Sequence, residues 1–387
     1  MKVYLVLLGT LLGLMAAEFG SRILLGDRGG PFAHNPVIRK QADNVDLFEP
    51  DEELGHRLKG GTFIGVYRRG LVTASQIAAD PTRRGKLFVL NLGDSSTSGW
   101  DSNVVVENGN RHRQGMPLKS PFQTYKTYSA LLAESDRLYV VNAGVPGYTS
   151  LQGARYLRRL LQEFHRRGVK IDVVTVYFGN NDSAWNGNLQ DSYVLADSFR
   201  PQLIHLIDQA MSRFRLIPRV KPANYADYLR DIITECRENG TEVILIEPVV
   251  PLRWRPGLRA EGLQDEEAEQ HSTLAGTKVL EWLLKGREYF REGEDRFKAG
   301  DNREARELLE KAREVDYVVP RIKYVHRQVL HKVAQEEGVP LVSVGQEIPL
   351  DDSKYFLDYC HPIEPANRMI AEGILTVLRD LSWSRRR

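Results

Sequence analysis

The stretch Leu87-Phe-Val-Leu-Asn-Leu-Gly-Asp-Ser-Ser-Thr-Ser-Gly99 constrains this chain more than any other. Its first half is apolar, β-branched or aromatic, and reads as a strand buried on both faces. The run stops at Gly93, and an acid, four hydroxyl residues and a second glycine follow. A strand ending in a tight turn sets Ser95 at the carboxyl edge of a sheet, where open α/β folds build their sites. The helix expected next offers backbone N–H groups at its N-terminus to a developing negative charge. Two other readings compete: hydroxyls that only cap a helix, or a phosphate loop. The second lacks both a Gly-Lys-Ser/Thr end and a G-x-G-x-x-G spacing.

From Lys86 onward the pattern alternates. Strands are expected at Leu87–Leu92, Leu138–Asn142, Asp172–Phe178, Glu242–Glu247 and Pro340–Val344. Helical patterns lie between or after them, at Tyr125–Ser135, Leu151–Arg167, Tyr225–Asn239, Ile322–Glu337 and Pro365–Leu381. Such alternation predicts an α/β fold, with about five parallel strands covered on both faces.

The spacing breaks twice. Trp185–Pro222 is too long for a simple βα loop, and more than ninety residues separate Glu247 from Leu341. Within the second gap, Glu281–Asp316 is charged and helix-forming. Its part Phe297–Asp316 resembles a single tetratricopeptide repeat, with Ala305, Leu308 and Ala312 on the packing face. An ordinary helical hairpin is the alternative. Either must dock on the main domain or on a partner. The expected division is 1–25, 26–85, 86–247 with 321–387, and an inserted helical region over 248–320.

At the N-terminus, Lys2 precedes an uncharged run, Val3–Ala17, followed by Glu18 and Arg22 one turn apart and then Ile23-Leu-Leu25. This segment predicts a hydrophobic signal-anchor helix over 1–25 and an extracytoplasmic catalytic domain. Met15-Ala-Ala17 is a fair cleavage site, and cleavage would make the protein secreted. Residues 26–85, rich in Gly, Pro and charge, read as a linker and irregular cover.

A net charge of +2 over 387 residues gives no bulk attraction for nucleic acid. Arg158, Arg159, Arg253 and Arg255 either line an anionic substrate cleft or face water, and solvated faces are the default. The two cysteines, Cys236 and Cys360, form neither a disulfide framework nor a zinc spacing, so no metal or cofactor is expected.

Three more polar motifs follow strands: Asn142-Ala-Gly-Val-Pro-Gly147, Phe178-Gly-Asn-Asn181-Asp182, and Asp358-Tyr-Cys-His361. In a parallel sheet these turns share one edge. Nucleophilic acyl chemistry needs that convergence, because a serine hydroxyl attacks only when a base takes its proton and a third group holds the base. His361 is the candidate base, and Asp358, three residues before it, can accept from Nδ1–H while Nε2 faces Ser95. Backbone N–H of Ser95 and Gly147 and the Asn181 amide are candidate oxyanion donors.

These four blocks together resemble the SGNH, or GDSL-type, hydrolase superfamily: Gly93-Asp94-Ser95, Gly147, Gly179-Asn180-Asn181-Asp182 and Asp358-x-x-His361. The resemblance covers 86–247 and 340–381. It implies a three-layer α/β/α, flavodoxin-like sandwich and metal-free ester hydrolysis or acyl transfer. It also implies Ser95 as nucleophile, His361 and Asp358 completing the triad, Gly147 and Asn181 in the oxyanion hole, and Asp94 and Asp182 in support. Ser96-Thr97 stands where the family often has an aliphatic residue or Phe before Thr, which doubles the serines. The anchor and insertion resemble bacterial members that act on extracytoplasmic glycans.

The expected function is a serine esterase acting on O-acetyl or short acyl esters of a carbohydrate or lipid. The expected partners are that ester-bearing molecule, a membrane through the N-terminal helix, and a protein at the insertion. An O-acetyltransferase using the same acyl-enzyme, and a non-catalytic scaffold built on the insertion, are the alternatives.

Overall fold

The computed structural model describes residues 48–66, 71–100, 126–184, 218–257 and 278–384, with Gly13 and the strand segments 104–107, 110–113 and 116–117. Apart from Gly13, the expected anchor over 1–25 lies outside the described residues, as does most of the 185–222 stretch. Among the described residues, no helix is long and apolar enough to cross a membrane.

In chain order the strands are β1 (Phe48–Asp51), β2 (Gly55–Leu58), β3 (Phe63–Ile64), β4 (Leu71–Val72), β5 (Leu87–Gly93), β6 (Val104–Glu107), β7 (Asn110–Arg113), β8 (Met116–Pro117), β9 (Leu138–Gly144), β10 (Val173–Tyr177), β11 (Glu242–Ile246) and β12 (Leu341–Val342). The helices are α1 (Ala74–Ala79), α2 (Ser95–Ser98), α3 (Tyr128–Leu132), α4 (Ser150–Arg166), α5 (Pro222–Glu238), α6 (Lys278–Lys298), α7 (Asn302–Val315), α8 (Tyr324–Glu337) and α9 (Glu364–Ser384).

The main sheet runs β12-β11-β10-β5-β9-β3-β4. The pairs from β12 through β9 are all parallel, which gives the expected five parallel strands. Antiparallel β3 and β4 extend the sheet beyond β9. These two short strands come from the segment expected to be irregular cover. At two residues each, they are too short to carry a period.

Both faces of the sheet are buried, as an unbroken apolar strand requires. Successive side chains of β5 alternate. Phe88, Leu90 and Leu92 pack with Leu157 and Phe164 of α4, Leu229 and Ile233 of α5, and Leu330 of α8. On the opposite face Val89, Val140 and Ile244 meet Leu131 of α3 and Ile370 and Ile374 of α9. Asn91 is buried on that second face, where its amide donates to Ser129 Oγ (2.9 Å) and accepts from Thr175 Oγ1 (2.7 Å). The layers are therefore helix, sheet and helix.

The inserted region forms a two-helix hairpin, α6 and α7, turning at Gly300 (φ 84°). Ala305, Leu308 and Ala312 are buried, on the face expected to pack. A methyl on Gly293 of α6 would fall 2.8 Å from Leu309 Cγ, so that glycine lets the two helices close together. The hairpin docks on the main domain through Leu252, Leu309 and Leu350. Arg253 adds a fork to Glu294 at 2.6 and 3.0 Å.

The helix expected over 125–135 narrows to α3, five residues long. Glu134 N and Ser135 N turn back to Leu131 O and Leu132 O, which ends the helix there. A separate antiparallel sheet, β6-β7-β8, arises where no element was expected.

Candidate active site

The site begins with the end of β5. Gly93 is required there, because a Cβ would sit 2.0 Å from Thr97 Oγ1 and 2.9 Å from Tyr177 O. Gly144, ending β9, lets α2 approach: a Cβ would lie 2.4 Å from Ser98 N. Asp94 caps α2 by accepting from Ser96 N at 2.9 Å.

The hydroxyl run is sorted by its partners. Ser96 is buried and its Oγ donates to Cys360 O at 3.0 Å. Thr97 Oγ1 shares a hydrogen bond with Tyr128 OH at 2.9 Å. Ser98 Oγ donates to Ser95 O at 2.9 Å. Among the described residues, no hydrogen bond engages Ser95 Oγ, and Ser95 is half-buried in a cleft that His361 also lines. Trp100, Leu357, Pro362 and Ile363 complete its apolar walls.

His361 and Asp358 meet on one turn before α9. The imidazole Nδ1–H donates to the Asp358 carboxylate, at 2.7 Å to Oδ2 and 2.8 Å to Oδ1. Asp358 Oδ1 also accepts Cys360 N and His361 N, each at 3.0 Å. A carboxylate only accepts, so Nδ1 carries the proton, and in the neutral ring Nε2 is left to accept. Burial opposes a charge on His361, but the Asp358 carboxylate outweighs it and holds the imidazole well above its ordinary value. Burial pushes the neighbouring Cys360 thiol up to about 12.

Cys236 and Cys360 are both free and buried. Asp358, Cys360 and His361 place potential ligand atoms near one another. Nδ1 is already committed through its proton to the Asp358 carboxylate, and Cys360 Sγ lies 3.8 Å from that nitrogen.

The remaining blocks meet α2 at the same edge. Gly147 adopts φ 82°, and its carbonyl accepts from Arg219 Nη1 at 3.0 Å. Asn181 Nδ2 donates to Tyr148 O at 3.0 Å and reaches Asp94 Oδ2 at 3.4 Å. Asp182 Oδ1 accepts Ser150 N at 2.9 Å and the Ser150 hydroxyl, which ties the third block to the start of α4. Burial pushes Asp94 up to about 7; the Ser96 N–H and the charge of His361 work against this, while the nearby Asp182 adds to it.

The candidate arginines take structural partners. Arg158 pairs with Glu235, Arg159 with Asp51 and Glu53, and Arg253 with Glu294. Neither these three nor Arg255 lines the Ser95 cleft. Two buried residues near the blocks, His56 and Arg219, were not singled out from sequence. His56 bonds Pro146 O, and Arg219 bonds Gly147 O and reaches Gln152 Oε1 at 3.4 Å, partners 67 to 90 positions away that leave no local pattern to read.

Comparison with known proteins gives the same family as the four blocks. A family model described as the GDSL-like Lipase/Acylhydrolase family matches residues 92–304, more than half of the chain. No curated protein matches. Among solved structures, a GDSL-like lipase from Bacteroides thetaiotaomicron is 12% identical with a TM-score of 0.38, covering 80% of this chain and 96% of that one. A catalytic mutant of Axe2, an acetylxylan esterase from Geobacillus stearothermophilus, is 15% identical with a TM-score of 0.34, covering 76% and 95%. A second acylhydrolase, from Bacteroides fragilis, is 12% identical with a TM-score of 0.40, covering 80% and 94%. This chain is an ester-hydrolysing enzyme and belongs to the GDSL-like lipase/acylhydrolase family.

Proposed function

We propose that the protein is a serine esterase in which Ser95 is the nucleophile, His361 the general base and acid, and Asp358 the group that orients it. The observation carrying this reading is the buried Asp358–His361 Nδ1 bond beside a cleft that Ser95 shares. Ser95 Oγ attacks the ester carbonyl carbon and its proton passes to His361 Nε2. The carbonyl oxygen becomes an oxyanion, held by Ser95 N–H, Gly147 N–H and Asn181 Nδ2. Asn181 exchanges its long contact to Asp94 for that oxygen and keeps its bond to Tyr148 O. Collapse breaks the bond to the alcohol oxygen, which takes the proton from Nε2. Water then attacks the acyl-Ser95 carbon and gives its proton to Nε2. Ser95 leaves with that proton, releasing the carboxylic acid.

Ser95 rather than Ser96 is assigned the attack because the Ser96 hydroxyl is already spent on Cys360 O. Trp100, Leu357 and Ile363 line the cleft beside Ser95, and the acyl group proposed for it is acetyl or another short chain. A carbohydrate or lipid alcohol is the proposed leaving group, and the uncharged Val3–Ala17 run supports a membrane-anchored site of action outside the cytoplasm.

The test is hydrolysis of p-nitrophenyl acetate. Ser95→Ala is expected to abolish turnover with an unchanged melting temperature, while Ser96→Ala keeps most of it. Full activity in Ser95→Ala would sink the assignment.

A further inference from the structure

The catalytic reading leaves unexplained why the N-terminal hairpin β1-β2 is so firmly built onto this edge. It is fastened to α4 by Gln152 Nε2 to Leu54 O (2.7 Å), Arg155 Nη1 to Glu53 O (2.8 Å) and Arg159 Nη1 to Asp51 (2.7 Å). From β2 it projects His56, which is buried between Phe48 and Tyr148, with ring centroids 5.6 and 5.2 Å away and both contacts edge-on. His56 Nε2 lies 2.9 Å from Pro146 O. A carbonyl can only accept, so Nε2 carries the hydrogen. Tyr148 OH returns a bond to His56 O at 2.6 Å.

Three successive carbonyls of the glycine block are thus each held by a side chain. His56 holds Pro146 O, Arg219 holds Gly147 O, and Asn181 holds Tyr148 O. The first matters most for chemistry. Pro146 C=O and Gly147 N–H belong to one planar trans peptide, and the two groups point in opposite directions across it. Fixing the oxygen on the hairpin side therefore turns the Gly147 N–H away from the hairpin. At φ 82°, Gly147 has no Cβ to restrain the loop, so the restraint must come from outside it.

We propose that His56 is a positioning residue for ester hydrolysis: its bond to Pro146 O sets the plane of the 146–147 peptide and so the aim of the Gly147 N–H at the oxyanion. This rests on the assignment of Gly147 N–H as an oxyanion donor. His56 touches neither substrate nor Ser95, and acts only through that peptide. An oxyanion donor is worth its full effect only within about 2.7–3.1 Å of the oxygen as it forms, so a tilted plane weakens the transition state more than the bound substrate.

The test compares His56→Phe, which keeps a ring between Phe48 and Tyr148 but has no N–H, with His56→Gln, which restores an amide donor. With p-nitrophenyl acetate, His56→Phe is expected to lower kcat about tenfold to a hundredfold, a part of the loss for deleting a donor. KM should stay within about twofold, and His56→Gln should recover most of kcat. Inhibition by phenylboronic acid, which forms a tetrahedral adduct on the serine, should weaken in parallel with kcat in His56→Phe. Should His56→Phe fail to fold, Tyr148→Phe serves instead: it frees the His56 backbone and is expected to lower kcat severalfold at constant KM. Equal kcat in His56→Phe and the parent overturns the inference, and so do equal losses in the Phe and Gln variants. For Tyr148→Phe, an unchanged kcat does the same. Ser95→Ala, run alongside, separates the two claims. If it is inactive while His56→Phe is fully active, only the inference fails; if it is active, the nucleophile assignment fails first.

Discussion

Asp358→Asn is expected to fold as the parent does and to turn over esters about ten-thousandfold more slowly, the loss typical of a triad carboxylate. The geometry explains why both halves of that result should hold. An asparagine Oδ1 can still accept Cys360 N and His361 N, the two bonds that shape the loop. Its amide nitrogen then faces His361 Nδ1, where an oxygen stood at 2.7 Å. Nδ1–H then keeps only Oδ1 at 2.8 Å, which already accepts two main-chain N–H groups, while the new amide donates to a bare Nδ1; the imidazole proton therefore shifts to Nε2 and the base can no longer accept from Ser95. The pH profile supplies an independent reading. Asp358 holds His361 well above its ordinary value, so the ring stays charged, and useless as a base, at a pH where a free histidine is neutral. The acid limb of kcat/KM should therefore lie above about 6.5 in the parent and move down in Asp358→Asn. Stopped assays across pH, with melting curves for each variant, measure both. An Asp358→Asn enzyme within tenfold of the parent would remove Asp358 from the proposed role.

Arg321→Leu is expected to give the largest loss of stability, about 3–5 kcal/mol, because it strips the partner from a buried charge. Arg321 and Asp316 have 0% exposed side chains and meet at 2.8 Å. Arg321 Nη1 also donates to Pro251 O at 3.2 Å and reaches Trp254 O at 3.5 Å. Leucine leaves the Asp316 carboxylate and these carbonyls without that donor in a region closed to water. The damage should reach the active site, because the same connection clamps the third block. Ile322 N donates to Asn180 Oδ1 at 3.0 Å, and Lys323 N to Ser183 Oγ at 3.2 Å. On the other side Trp254 packs on Tyr359, and Tyr359 on His361. Replacing both charges together, as Arg321→Met with Asp316→Leu, should restore much of the stability. Denaturant titration measures each cost. A single variant as stable as the parent would show that the pair contributes nothing.

What was legible in the sequence followed from periodicity and from residues close together in the chain. Leu87–Leu92 was readable as a buried strand because a parallel strand covered on both faces carries no polar alternation. Asp358 and His361 stood out because a spacing of three residues puts the carboxylate and imidazole on one turn. The sorting of the serines was not readable: the Ser96 hydroxyl is engaged by Cys360 O, 264 positions away. His56, Arg219 and Arg321 carry no local signal for the same reason, each bonding main-chain carbonyls 67 to 90 positions distant. The β6-β7 pairing has a signal in the sequence, the Asn108-Gly109 pair between Glu107 and Asn110.

The central claim, that Ser95 is the activated nucleophile, is tested most directly by a fluorophosphonate probe and mass spectrometry of the labelled peptides. The expected result is one stoichiometric label on Ser95, lost in Ser95→Ala and slowed in Asp358→Asn. A label on Ser96, or an enzyme that hydrolyses esters while Ser95 stays unmodified, would contradict it.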